Sequence, residues 1–138
     1  MASGAVPPAR VFKTKTFTRL AAKAGVRDAE LCAAIPQVMA GQADDLGGGV
    51  YKKRLGKNLY RAILLSRAGD HWIFEYLFAK QNRPNIEIDE LIEYRRVARF
   101  YGALAASQFE ALVVNGHLKE ICNATKKKIQ EPCLQSNS

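Results

Sequence analysis

Hydrophobic and polar positions change period twice along this chain, giving a helical start, a strand-rich middle and a helical end. Val11 to Lys15 reads as a short strand, after which Phe17, Leu20, Ala21 and Ala24 recur at helical spacing until Gly25. A second helix is predicted from Asp28, with Leu31, Ile35, Val38 and Met39 on one face, Pro36 as an internal kink and Gly41 as its stop. The middle reads as three strands, Val50 to Leu55, Leu59 to Ser66 and His71 to Ala79. They are separated by Gly56-Lys57-Asn58 and by Arg67 to Asp70, turns close enough to predict an antiparallel meander. The third strand alternates, with Trp72, Phe74, Tyr76 and Phe78 on one face and Ile73, Glu75 and Leu77 on the other. A row of aromatics can stack nucleic-acid bases, but packing beneath helices explains this one better.

The helical period returns from Asp89 to Leu104, with Leu91, Tyr94, Ala98 and Tyr101 on one face and Arg95, Arg96 and Arg99 turned away from it. Ser107 and Glu110 have the spacing of a capping box for a short helix carrying Phe109, Leu112 and Val113, and Leu118 to Ile121 suits a last edge strand. Gly47-Gly48-Gly49 reads as a loop bending into the sheet. The order β-α-α-β-β-β-α-α-β groups helices before and after an antiparallel sheet, which predicts an α+β fold. At 138 residues the chain suits one domain, expected from 10 to 122. Residues 1–9 and the Lys-, Gln- and Ser-rich 123–138 are expected to be tails without a core of their own.

Charge changes the picture. Lys and Arg exceed Asp and Glu by 8, which favours a polyanionic partner. The meander carries much of this excess: Lys52, Lys53, Arg54, Lys57, Arg61, Arg67, Lys80 and Arg83 face only Asp45, Asp70 and Glu75 between Asp45 and Asn85. Alternation puts Lys52 and Arg54 on one face of their strand and Lys53 on the other. Arg61 interrupts an apolar strand, and burying an unpaired cation is expensive. It must either pair with a carboxylate or border a groove for an anion, and the scarcity of nearby acids favours the groove. A merely solvated basic face is the plainer alternative.

Other chemistry is poorly supported. The chain has no GxxxxGK[ST] phosphate loop and no HExxH, so neither cofactor nor metal is expected. His71 and His117 read as solvated histidines. Cys32, Cys122 and Cys133 form no CxxC pair and are odd in number, so a disulfide framework or zinc site is not expected, and the thiols suit a reducing cytoplasm. The N-terminal segment lacks the apolar core of a signal peptide and no stretch is long enough to span a bilayer, so a cytoplasmic protein without membrane contact is expected.

Gly47 to Leu55 (GGGVYKKRL), Leu59 to Ala62 (LYRA), Tyr76 to Lys80 (YLFAK) and Asn85-Ile86 together resemble RelE/HigB-type toxins of bacterial type II toxin–antitoxin systems. The opening VFKTKTF, the second helix with Leu31 and Cys32, and the closing GHLKEI extend the resemblance from Val11 to Ile121. It implies a compact α+β fold with a central antiparallel sheet, and an endoribonuclease that acts on mRNA in the A site of the 70S ribosome. In that chemistry the 2′-hydroxyl of one nucleotide attacks its own 3′ phosphate, leaving a 2′,3′-cyclic phosphate and a free 5′-hydroxyl. Carried over by position, Lys52, Arg54, Arg61 and Lys80 are the candidate catalytic residues. Lys52 would take the 2′-hydroxyl proton, Arg54 and Arg61 would hold the phosphate, and Lys80 would serve the leaving oxygen or the backbone. Lys53, Lys57, Tyr60 and Arg83 are candidates for RNA binding. Gln81 and Glu87 stand where some relatives carry an Arg and a catalytic Tyr. A cognate antitoxin, expected to cover the cationic groove with an acidic segment, is the implied protein partner. Two other readings remain on the same fold: a ParE-like gyrase inhibitor that cuts nothing, and an RNA- or ribosome-binding module without cleavage.

Overall fold

The computed structural model describes residues 9–123, and the segments expected to be tails lie outside it except for Ala9, which is buried, and Asn123, which ends a strand. The elements are β1 (Arg10–Thr14), α1 (Lys15–Ala24), α2 (Asp28–Met39), β2 (Asp44–Gly47), β3 (Val50–Leu55), β4 (Tyr60–Arg67), β5 (His71–Ala79), α3 (Ile88–Ala103), α4 (Ala106–Val114) and β6 (Leu118–Asn123). The fold is α+β, as the period changes predicted. Six strands form one sheet in the order β2-β3-β4-β5-β1-β6, antiparallel throughout except for the parallel β1–β5 pair.

Helices cover both faces. On one, α1 and α2 bury Phe17, Leu31, Ile35 and Val38 against Ala62, Leu64, Trp72 and Phe74. On the other, α3 and α4 bury Ala98, Tyr101 and Phe109 against Phe12, Val50, Ile63, Leu65, Ile73 and Phe78. Central β4 is therefore apolar on both faces, which is why Ala62 to Leu65 form a continuous buried run. Thr14 caps α1 by accepting from the Phe17 N–H at 3.0 Å, and Gly25 closes it at φ 74°, where its N–H reaches Ala21 and Ala22.

The structure corrects five details. Of the predicted Gly47-Gly48-Gly49 loop, Gly47 instead ends an edge strand, Asp44 to Gly47, that pairs with β3; four residues rich in Asp and Gly carry no strand period of their own. The alternation in β5 breaks at Glu75, where the register with β4 steps from Ile63↔Tyr76 to Leu64↔Phe74. This bulge sends Trp72 and Phe74 to the α1/α2 side and Tyr76 and Phe78 to the α3 side, so the aromatics belong to both cores. Ser107 and Glu110 do not cap α4. The N-cap is Ala105, two residues earlier, with Gln108 Oε1 accepting the Ala105 N–H at 2.7 Å, while Glu110 is drawn to Arg10. His71 is not solvated: its Nδ1 lies 2.7 Å from Asp70 Oδ1 and its ring stacks on Phe12. Finally, Cys32 of α2 and Cys122 of β6 form a disulfide, 90 residues apart in sequence with Cα atoms 6.3 Å apart. No spacing rule reveals a pair that meets only when a helix crosses to an edge strand.

Candidate nucleic-acid interface

Pairing in the meander decides where the candidate cations go. β3 and β4 align Lys52 with Ile63 and Arg54 with Arg61, and β4 and β5 align Ile63 with Tyr76 and Arg61 with Phe78. Directly opposed residues share a face. Two rungs therefore cross the sheet on its α3 side: Lys52–Ile63–Tyr76 and Arg54–Arg61–Phe78. Arg83, four residues beyond β5, returns over the Phe78 ring with its guanidinium carbon 5.4 Å from the centroid. The structure thus gathers Lys52, Arg54, Arg61 and Arg83 on one side of the meander.

Their states differ. Arg54 is exposed, and no ion pair to it occurs among the described residues. Arg61 is only 6% exposed; its Nη1 donates to the carbonyl oxygens of Asn58 and Tyr60, each at 3.1 Å, and it too lacks a carboxylate partner among those residues. Lys52 donates to Asn85 Oδ1 at 3.1 Å and lies 3.7 Å from Asp44 Oδ2, its neighbour across the β2–β3 pair. Lys52 thus has an acidic neighbour on the edge strand. Arg83 pairs with Glu90 of α3; that pairing holds the Glu90 carboxyl below its ordinary range and raises the Arg83 guanidinium.

The remaining candidates border this group. Lys80 is exposed just past β5, its N–H bonded to Leu59 O at 3.0 Å, and it lines a shallow depression with Asn58, Tyr60 and Gln81. Tyr60 is half-buried, and its ring packs against the α1/α2-side core, so its apolar body serves the fold. Lys53 points away from the rungs but lines an edge depression with Lys52 and Arg54 beside Gly41 to Asp44. Lys57 sits in the exposed β3–β4 turn. Glu87 precedes α3, where its N–H donates to Glu90 Oε1 at 2.7 Å, and Gln81 is exposed.

Sequence reasoning missed two groups here. Tyr76 joins the Lys52 rung only because of the bulge at Glu75, and Asp44 reaches Lys52 only because β2 forms. Tyr76 stands 6.5 Å, ring to ring, from Tyr94, whose hydroxyl burial pushes far above the usual phenol range, so Tyr94 stays protonated. Among the described residues, no cluster of three or more His, Cys, Asp or Glu is placed to hold a metal ion. No described helix is long and apolar enough to cross a membrane.

A mixed sheet sandwiched between helical layers, with a cationic face on its meander, defines a small α+β protein. The family of the RelE toxin of RelE/RelB toxin–antitoxin systems matches residues 9–121. The chain belongs to this family: it is the toxin component of a toxin–antitoxin system, and its partner in that system is an antitoxin. No curated protein and no solved structure matches it.

Proposed function

We propose that this toxin is a metal-independent endoribonuclease that cuts mRNA on the ribosome. The observation that carries the reading is Arg54 lying directly opposite Arg61 with no carboxylate paired to either among the described residues. Like charges in directly opposed positions destabilise a sheet, and an anion between them removes that repulsion. A phosphodiester is the polyanion unit that suits two guanidinium forks.

In this mechanism the scissile phosphate lies across the Arg54–Arg61 rung. The 2′-hydroxyl gives its proton to solvent water as its oxygen attacks the adjacent phosphorus, the bond from phosphorus to the 5′-oxygen breaks, and the products are a 2′,3′-cyclic phosphate and a 5′-hydroxyl. Arg54 and Arg61 stabilise the charge that grows on the non-bridging oxygens. Lys52, held by Asn85 and Asp44, supplies positive charge beside the phosphate. Lys80 protonates the departing 5′-oxygen from the open end of the sheet. Lys53, Lys57 and Arg83 hold the flanking strand, with Tyr60 at the rim.

The end chemistry tests this. Fragments from a purified translation reaction should carry 5′ ends that polynucleotide kinase can phosphorylate directly. Their 3′ ends should accept a ligated adaptor only after the cyclic phosphate is removed. Fragments with 5′ phosphates, or no fragments at all, would overturn the proposal.

A further inference from the structure

The β3–β4 turn that carries Lys57 and anchors Arg61 is held from outside. Gly56, Lys57 and Asn58 all have positive φ, at 59°, 56° and 73°. Lys57 in particular adopts the left-handed region that a side chain disfavours, so surrounding contacts must hold the turn in place. Two contacts do so. Arg61 Nη1 binds the Asn58 carbonyl from within the hairpin, and Glu30 Oε2 of α2 accepts the Gly56 N–H at 2.5 Å.

α2 is a weak support by itself. Its N-cap residue, Arg27, makes no side-chain capping bond, and Pro36 lies inside the helix. Proline has no N–H to give the carbonyl four residues earlier, which here is that of Cys32. The break in the helical ladder therefore falls on the residue that the disulfide ties to Cys122 of β6. Cys32 is two residues from Glu30 on the same helix.

We propose that the Cys32–Cys122 disulfide is a redox switch on the candidate site, with Glu30 as a positioning residue. The effect on cleavage rests on the nuclease reading; the effect on the turn does not. In the oxidised protein α2 is pinned to β6, Glu30 holds Gly56, and the turn presents Lys57 and Arg61. Cys32 is half-exposed while Cys122 is 5% exposed, so an incoming thiolate attacks the Cys32 sulfur and Cys122 leaves as thiolate. A second thiol of the reductant then displaces the mixed disulfide, leaving two protein thiols and an oxidised reductant. Re-formation passes two electrons and two protons to a low-molecular-weight disulfide, which departs as two thiols. Once reduced, α2 keeps its apolar contacts but loses the tie at its broken ladder, and the strained turn relaxes.

The test uses the full chain after treatment with glutathione disulfide or with dithiothreitol. Alkylation and intact mass should find one free thiol in the first case and all 3 cysteines free in the second. Hydrogen exchange at the Gly56 amide should speed up by about 10-fold on reduction, while the Asp70 amide of the β4–β5 turn, bonded to Arg67 O, is unchanged. The Cys32→Ser/Cys122→Ser variant should show the fast exchange under both conditions. Glu30→Ala should also be fast in both, whereas Glu30→Gln, which keeps an acceptor oxygen, should restore protection to the oxidised form. Cleavage of translated mRNA should fall with reduction in wild type and be redox-blind in the double serine variant. Three free thiols after glutathione disulfide, or equal Gly56 exchange in both states, would overturn the switch even if RNA is cut. A redox-dependent exchange without cleavage in either state would uphold the switch at the turn and sink the nuclease reading instead.

Discussion

Arg54 and Arg61 face each other directly across the β3–β4 ladder, one exposed and one buried, and no described carboxylate pairs with either. The pair predicts an asymmetric response to mutation. Arg54→Ala and Arg61→Ala should each slow cleavage by ~10²–10³, the usual loss when a preorganised donor to transition-state charge is removed. Arg61→Ala should in addition lose about 1–2 kcal/mol of stability, because the Asn58 and Tyr60 carbonyls lose their donor. Arg54→Ala should stay within ~0.5 kcal/mol of wild type. Single-turnover rates and urea unfolding of the two variants separate these effects.

Asp44 tempers the same face through Lys52, 3.7 Å away. Asp44→Asn should therefore raise affinity for a short single-stranded RNA by about 2–5-fold at low salt, with the gain disappearing at high salt, as expected for a screened, mostly exposed pair. Fluorescence anisotropy titrations at two ionic strengths measure it, and an unchanged affinity would detach Lys52 from the RNA path.

Glu75 is the anomaly beneath α3. One of its carboxylate oxygens is buried without a hydrogen-bond partner, and burial raises its pKa. A raised pKa means the folded protein holds the proton more tightly than the unfolded chain. Its contribution to stability is complete below the unfolded carboxylate range and is lost as pH rises through the folded value. Glu75→Gln should thus be more stable than wild type at pH ~8, by about 1 kcal/mol, with the difference closing near pH ~4. Thermal melts across that range check the sign, and a gap that widens toward acid would contradict it.

The disulfide closes a separation of 90 residues. Chain-entropy reasoning then predicts that Cys32→Ser/Cys122→Ser loses about 2–4 kcal/mol under oxidising conditions, and nothing relative to reduced wild type. Denaturant midpoints with and without dithiothreitol decide this.

Much of this architecture was legible in the chain because each helix and each long strand carries its own period. Gly25 ended α1, Gly56 to Asn58 marked the first hairpin, and Arg61 stood out as a cation in an apolar run. What escaped was whatever depends on contact between distant segments. β2 exists because β3 offers it a partner, and the bulge at Glu75 lies in a strand whose sequence alternates without interruption. The stack of His71 on Phe12 and the pairing of the two cysteines come from the fold rather than from neighbours in sequence. The site was legible as a list of cations but not as a geometry. That Arg54 opposes Arg61 followed from the hairpin, whereas the ties from Lys52 to Asp44 and Asn85 needed β2 and the return of the chain after β5.

The central claim is that the Arg54–Arg61 face cuts message during translation. Primer extension on an mRNA in a purified translation system tests it most directly, with naked mRNA and a Lys52/Arg54/Arg61 triple-alanine variant as controls. The account predicts stops on translated message only, absent from naked mRNA and from the triple variant. Full-length extension under every condition, or equal stops with the triple variant, would contradict it.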